Sequence, residues 1–183
     1  MSLSVKQKGV RNGIIVGMGI TLLVLIGGAI TNPFSFPHNL AVIYKLTLAI
    51  KAAAAPTFFL ALSVAALARD RFFNPADIDG GALSTHGSAK AKILQSILQN
   101  TLEESVLAIV VYLFWATVMP SELLSVISCA AILFVLGRIL FALGYAKGAP
   151  ARSIGFALTF FPTVLMFVTS LLTVGYKFLD KIF

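Results

Sequence analysis

The sequence predicts an all-α integral membrane protein with five transmembrane helices. Of its 183 residues, 58% are hydrophobic and only 11% are charged, and its mean hydropathy is +0.96. A water-soluble domain of this length needs more polar surface, so lipid is the expected solvent for most of the chain. The apolar residues also form five stretches that each reach the length of a spanning helix, about 20 residues.

These five stretches give the predicted spans in chain order. They cover residues 13–31, 40–68, 89–119, 122–145 and 152–176. The second is interrupted by Lys45, Lys51 and Pro56, and the third begins as an amphipathic helix. Short connections make hairpins of most neighbouring spans, whereas a longer polar loop, residues 69–88, separates the second span from the third.

The first span resembles a secretory signal in having a basic start and an apolar core. Its core of 19 residues is long for a signal, and no clear cleavage site follows, so we expect a retained helix. Gly13 and Gly17 form a G-x-x-x-G pair in this span. Such a pair permits another helix to approach closely.

Basic residues are concentrated on one side of the predicted membrane. The other side receives only Lys177 and Lys181, with Lys45 and Lys51 inside the second span towards it. By the positive-inside rule, we expect a multi-pass protein of the inner membrane with a cytoplasmic N-terminus and its C-terminus outside. The net charge of +7 is then an orientation signal, and nucleic acid is not an expected partner. The ten basic residues on the cytoplasmic side are Lys6, Lys8, Arg11, Arg69, Arg71, Lys90, Lys92, Arg138, Lys147 and Arg152.

Cysteine and histidine are too sparse to predict a metal site. Cys129 is the only cysteine and lies in an apolar run, where a thiol is usually a packing residue. His38 and His86 fall in connecting segments, far from any second ligand.

Charged groups inside the spans predict a polar cluster near the cytoplasmic end. The third and fourth spans turn at Pro120 and Ser121; Glu103 lies 17 residues before Pro120, and Arg138 lies 17 residues after Ser121. Equal lengths on antiparallel helices place both side chains at one depth. A charge in a span costs a few kcal/mol unless it is paired, so we expect a Glu103–Arg138 ion pair.

Further polar side chains lie at helical spacing around this predicted pair. Gln99 and Asn100 precede Glu103 on overlapping helix faces, and Tyr145 lies two turns after Arg138. Arg152 begins the last span after Pro150, where a cation beside a helix N-terminus suits an anion. These groups either hold the helices together or line a polar pocket that opens to the cytoplasm.

Three stretches of the chain resemble the MAPEG family, the membrane-associated proteins in eicosanoid and glutathione metabolism, and its bacterial branch in particular. They are "LQNTLEESVLA", "GRILFALGYAKGAPARSIGF" and "ARDRFFNPADIDG", within a resemblance over residues 40–176. The resemblance implies a four-helix bundle that assembles as a homotrimer, with glutathione between subunits on the cytoplasmic side. The expected domains are then an N-terminal part with one additional transmembrane helix (1–39), the MAPEG-like four-helix domain (40–176) and a short tail (177–183).

The resemblance also implies roles for individual residues. Arg152 matches the arginine that stabilises the glutathione thiolate, which attacks an electrophile arriving through the lipid. Asn100 and Glu103 match the amide and carboxylate that grip the tripeptide, and Arg69 or Arg71 matches a basic residue close to the glutathione carboxylates. The residues expected to bind glutathione are Arg69, Arg71, Gln99, Asn100, Glu103, Arg138 and Tyr145.

Four positions depart from the family pattern. Ser96, Leu98 and Phe141 replace an arginine, a glutamine or histidine, and a tyrosine, and Glu104 replaces an aromatic residue. The leading hypothesis is a glutathione-dependent transferase or peroxidase acting on hydrophobic electrophiles. The departures favour the alternative of a non-catalytic lipid-binding or scaffold protein. A small transporter is a third hypothesis, suggested by Lys51 and opposed by the lack of an inverted repeat.

Overall fold

The structure is a computed structural model that describes residues 3–79 and 87–180, so His86 and Lys181 lie outside the described residues. Within those ranges the chain forms six α-helices and a short 3-10 helix, Ser121–Leu124, before the fifth. Five segments are long and apolar enough to cross a membrane, because the second and third helices together make one span. The helices are α1 (Val5–Thr31), α2 (Val42–Ala52), α3 (Ala54–Phe73), α4 (Ala89–Val118), α5 (Ser125–Tyr145) and α6 (Ala149–Leu179).

The second predicted span is broken into two helices at Ala53. Pro56 explains the break, because it has no N–H to bond the carbonyl of Ala52 and its ring crowds that carbonyl. Pro56 is buried, and its own carbonyl accepts a hydrogen bond from Ser105 Oγ of α4 at 3.1 Å. The break is therefore held against the middle of α4.

The largest differences from the predicted boundaries are at the start of α1 and at the end of α3. α1 begins at Val5, well before residue 13, because Ser4 and Gln7 form a reciprocal capping box with each other's backbone N–H groups. α3 continues to Phe73, so Arg69 and Arg71 lie on its last turns and not in the loop. The polar connection begins at Asn74.

Small residues bring α1 close to α6. A Cβ added to Gly17 would lie 2.4 Å from Ala157 Cβ, and one added to Gly13 would lie 1.9 Å from Ser153 Oγ. The prediction that this G-x-x-x-G pair admits a neighbouring helix is confirmed, and the neighbour is α6. Gly28 approaches Cys129 in the same way, so the single cysteine is a packing residue of α5.

The bundle has two polar ends, named here after one residue of each. The Pro120 end holds the connections 32–41 and 119–124. The Arg152 end holds the start of α1, the described residues between α3 and α4 (74–79 and 87–88) and the connection after α5. At the Pro120 end, Lys45 Nζ donates to Met119 O at 2.6 Å and Lys177 Nζ donates to Val118 O at 2.8 Å. Both lysines thus cap carbonyls at the C-terminus of α4, where a cation is favoured.

Candidate functional site

Arg138 of α5 is the buried centre of a hydrogen-bond network between three helices. Its side chain is 2% exposed, and one nitrogen donates to Asn100 Oδ1 of α4 at 2.9 Å. A second nitrogen donates to Thr159 Oγ1 of α6 at 2.6 Å. The guanidinium also lies over the ring of Phe141, 4.5 Å from its centroid, so the cation has polar and aromatic partners at this depth.

The predicted Glu103–Arg138 ion pair is wrong. Glu103 is exposed and accepts a hydrogen bond from Gln99 Nε2 of its own helix at 2.8 Å. The neighbouring carboxylate, Glu104, is 3% exposed and interacts electrostatically with Arg138. A helix turns by about 100° per residue, so equal depth along two helices does not determine which of two adjacent side chains faces the partner.

The network contains two charged groups with unused hydrogen-bonding capacity. Arg138 Nε and Glu104 Oε2 are buried, and neither has a hydrogen-bond partner among the residues that the structure describes. No salt bridge within 4.0 Å joins the two side chains. Since buried polar atoms are almost always hydrogen-bonded, these two atoms mark the network as incompletely satisfied by the described residues.

A cavity of about 350 Å³ lies next to this network and contains three of the predicted site residues, Asn100, Tyr145 and Arg152. Arg152 lies over the Tyr145 ring, with 4.1 Å between its guanidinium carbon and the ring centroid. The volume falls within the range of small-molecule sites, about 300–1,000 Å³. The cavity is therefore large enough for a ligand and carries a cation and an amide.

The start of α6 adds to the positive potential of this cavity. Gly148 precedes the helix with φ of 100°, a conformation that glycine adopts readily, and Pro150 lies in the first turn as predicted. The first backbone N–H groups of a helix have no partners within it. Arg152 is the fourth residue of α6 and lies beside these groups. This end of α6 favours a negatively charged group.

The structure brings together half of the predicted site residues within one chain. Arg138 contacts Asn100, which shares the cavity with Tyr145 and Arg152. The others lie apart from the cavity: Gln99 and Glu103 bond to each other, Arg71 donates to Gln95 Oε1 at 3.0 Å, and Arg69 is exposed at the end of α3.

Sequence reasoning missed Thr159 and the contribution of α1. Thr159 is buried and follows Arg152 by seven residues, so helical spacing alone places it on the same side of α6 and could have revealed it. Val10 and Ile14 of α1 line the cavity wall. No signal in the sequence pairs them with cavity residues as far along the chain as Tyr145 and Arg152. Within the described part of the chain, no three histidine, cysteine or acidic side chains form a metal-binding group.

The fold and this site define a helical multi-pass membrane protein with a cationic cavity between its helices. The model of the MAPEG family matches residues 46–172, which contain Asn100, Arg138, Tyr145 and Arg152 and leave α1 outside. The chain therefore belongs to the MAPEG family, and the family resemblance predicted from its sequence is confirmed. No curated protein matches the chain.

Proposed function

We propose that the protein is a membrane glutathione-dependent transferase or peroxidase that acts on hydrophobic electrophiles. The observation that carries the proposal is the cavity in which Arg152, stacked on Tyr145, lies with Asn100 at one end of a MAPEG bundle. We also propose the inner membrane as its location, a homotrimer as its assembly, and a cytoplasmic N-terminus with the C-terminus outside. The bias of basic residues supports that orientation.

Arg152 supplies the catalytic charge in this proposal. Glutathione brings a thiol, whose thiolate is the nucleophile. It attacks an electrophilic carbon and displaces the leaving group, or it attacks a peroxide oxygen and releases the alcohol, after which a second glutathione completes the disulfide. The Arg152 guanidinium and the N-terminus of α6 stabilise that negative charge, and the thiol proton leaves to water at the Arg152 end. Stacking on Tyr145 holds the guanidinium in place without neutralising it, so the charge stays available to the thiolate.

Asn100 orients the tripeptide, and Arg138 is a positioning residue for it. Because Asn100 Oδ1 accepts from Arg138, the amide NH₂ is turned away from that bond and is free to donate to a carbonyl or carboxylate of the ligand. Thr159 holds the other side of the same guanidinium. This chain of hydrogen bonds gives Asn100 one orientation, as a specific binding site requires.

Four further residues remain proposed glutathione contacts. Gln99 and Glu103 are exposed on α4, and Arg69 and Arg71 lie at the end of α3, outside the cavity of their own chain. In the proposed homotrimer they would contribute to the site of a neighbouring subunit. They would then add cations and hydrogen-bond partners for the glutathione carboxylates and amides.

The test is the ultraviolet difference absorbance of the thiolate when glutathione is added to the purified protein. We expect a thiolate signal and conjugation of chlorodinitrobenzene in the parent protein, and loss of both in Arg152→Ala. Lys147→Ala is the matched control, because Lys147 is an exposed cation on the connection that precedes α6 and does not line the cavity. A parent protein without the signal, or an Arg152→Ala variant that retains it, would contradict the proposal.

A non-catalytic lipid-binding or scaffold protein is the second candidate function. It is favoured because Ser96 donates its hydroxyl to Lys92 O on its own helix at 2.9 Å, and Phe141 has no hydroxyl to offer a thiol. In that case glutathione produces no thiolate signal, whereas a lipid anion still binds beside Arg152. The same titration therefore separates the two candidates.

A further inference from the structure

α1 contributes one wall of the Arg152 cavity. Val10 and Ile14 line this cavity of about 350 Å³, and its remaining lining residues belong to α4, α5 and α6. α1 lies outside residues 46–172, which match the family model. The wall is therefore an addition to the part of the bundle that the family model covers, and it faces the residue that carries the proposed chemistry.

Three glycines hold this wall against α6. They are spaced by four residues and share one face of α1: Gly9, Gly13 and Gly17. A Cβ added to the first would lie 2.9 Å from Pro150 Cβ, and one added to the second would lie 1.9 Å from Ser153 Oγ. The Ser153 hydroxyl in turn donates to Pro150 O at 2.8 Å. The backbone of α1 is thus packed directly on the first turns of α6, which carry Arg152.

The side chains of Val10 and Ile14 form the row next to these glycines. Each follows a glycine by one residue, which is about 100° around the helix, so a backbone that docks through the glycines presents both side chains beside the contact. Both are half-buried, whereas the residues that follow them, Arg11 and Ile15, are exposed. Valine and isoleucine are branched at Cβ and keep one strongly preferred χ1 rotamer in a helix. The wall is therefore stiff in both backbone and side chains.

We infer that Val10 and Ile14 are specificity-determining residues, which restrict the Arg152 cavity to compact ligands. The inference rests on the proposed function, in which an electrophile must bring its reacting atom to a thiolate beside Arg152. A wall with a packed backbone and one side-chain rotamer does not move aside, so a bulky ring clashes with it where a smaller ring fits. A single methylene group changes such discrimination by about 10–200-fold.

The first test compares two electrophiles that share one reacting group, chlorodinitrobenzene and the larger chlorodinitronaphthalene, with glutathione and the full chain in nanodiscs. Ile14→Ala removes most of one wall side chain. We expect the ratio of kcat/KM for the naphthalene to that for the benzene to rise about tenfold. Ile15→Ala is the matched control and should leave the ratio unchanged, because Ile15 is 60% exposed and does not line the cavity. A loss of folded protein lowers both rates and leaves their ratio unchanged.

A second test needs no glutathione. Benzenesulfonate and naphthalenesulfonate offer Arg152 the same anionic group on one ring or on two, and calorimetry measures their binding. We expect Ile14→Ala to strengthen binding of naphthalenesulfonate relative to benzenesulfonate about tenfold, and Ile15→Ala to leave the relative affinity unchanged. Arg152→Ala should weaken binding of both anions, which locates them in this cavity.

Equal results for Ile14→Ala and Ile15→Ala would overturn the inference, in the sulfonate pair or in the electrophile pair of an active protein. Sulfonate binding that does not depend on Arg152 would also overturn it. Failure of the proposed function has a different signature. A parent protein without conjugation, whose relative sulfonate affinity still depends on Ile14, would remove the glutathione chemistry and leave α1 as the wall that selects ligands by size.

Discussion

The charged groups at the Pro120 end and those around Arg138 differ in how completely they are hydrogen-bonded. At the Pro120 end, Lys45 and Lys177 donate to the last carbonyls of α4, and His38 pairs with Glu122. Around Arg138, the Asn100 and Thr159 bonds leave one guanidinium nitrogen and one Glu104 oxygen without partners in the described ranges 3–79 and 87–180. Both regions place charge next to apolar helices, yet only the first pairs all of the groups named here.

This difference distinguishes charged groups that only stabilise the bundle from charged groups that can bind a ligand. A charge with all its partners inside the chain has nothing left to offer a ligand. A buried charge with free hydrogen-bonding capacity raises the energy of the protein until another molecule supplies the partner. The following predictions test that division, beginning with the largest expected effect.

Arg138→Gln should cost the most stability. It removes the donor to Asn100 and Thr159 and leaves Glu104 without its countercharge, so we expect the free energy of unfolding in detergent micelles to fall by about 3–5 kcal/mol. Glu103→Gln is the control and should change it by less than about 0.5 kcal/mol, because Glu103 is exposed. Equal losses in the two variants would indicate that Glu103 is the partner of Arg138 and would contradict this prediction.

Gly17→Ala tests whether α1 packs closely against α6. The added methyl group would meet Ala157 Cβ at 2.4 Å, and such overpacking typically costs about 1–3 kcal/mol of unfolding free energy. Gly19→Ala has nothing within 4 Å and should be neutral or stabilising by up to about 1 kcal/mol through helix propensity. Thermal unfolding of the two variants in one detergent measures the contrast. Indistinguishable midpoints would mean that α1 does not dock on α6.

Lys45→Met tests the Pro120 end directly. The variant leaves the Met119 carbonyl without its buried donor, and we expect a loss of about 1–2 kcal/mol in unfolding free energy with binding at the Arg152 cavity unchanged. Lys51→Met is the matched control, since Lys51 is exposed on the same helix. A loss of ligand binding in Lys45→Met would show that the two regions are coupled.

Asp77→Asn should have the smallest effect and a distinctive pH dependence. The backbone N–H of Ser88 donates to Asp77 Oδ1 at 2.7 Å, and this bond lowers the pKa of the Asp77 carboxyl below its ordinary value of 3.8. The folded-state pKa is therefore below the unfolded one, and the stabilisation is present above that ordinary value and lost as the pH falls through the folded pKa.

The measurement is the unfolding midpoint of parent and Asp77→Asn proteins across acid and neutral pH. The two midpoints should differ at neutral pH and converge in acid. A difference that persists unchanged in acid would show that the ionised carboxylate is not the source of the stabilisation at the start of α4.

Much of the fold could be predicted from the distribution of apolar residues and glycines along the chain. Five apolar stretches became five spans, and the G-x-x-x-G pair of α1 became a close helix contact. The errors concern local interactions: the Ser4 capping box extends α1, Pro56 divides the second span, and Arg69 and Arg71 are helical. Each depends on one or two side chains, which an average over an apolar stretch does not detect.

The sequence predicted how far along the helices the site residues lie, but only partly which side chains face the neighbouring helix. Arc length on antiparallel helices places Glu103 and Arg138 at one level, and the structure uses Asn100 and Glu104 at nearly the same level in place of Glu103. One residue of displacement turns a side chain by about 100° around the helix, from the interior to the surface. The position of a residue along a helix can be counted from the sequence. Which face of the helix packs inward depends on the neighbouring helix.

The sequence by itself determined the spans, the family and four residues that the structure brings together, Asn100, Arg138, Tyr145 and Arg152. It could do so because a segment in lipid must satisfy its backbone hydrogen bonds internally, which makes a long apolar stretch a helix. The tertiary structure decided which faces meet, including the wall that α1 adds beside Arg152. In lipid an apolar face gains little by turning inward, so close contacts between small residues, and not hydrophobicity, select the helix pairs.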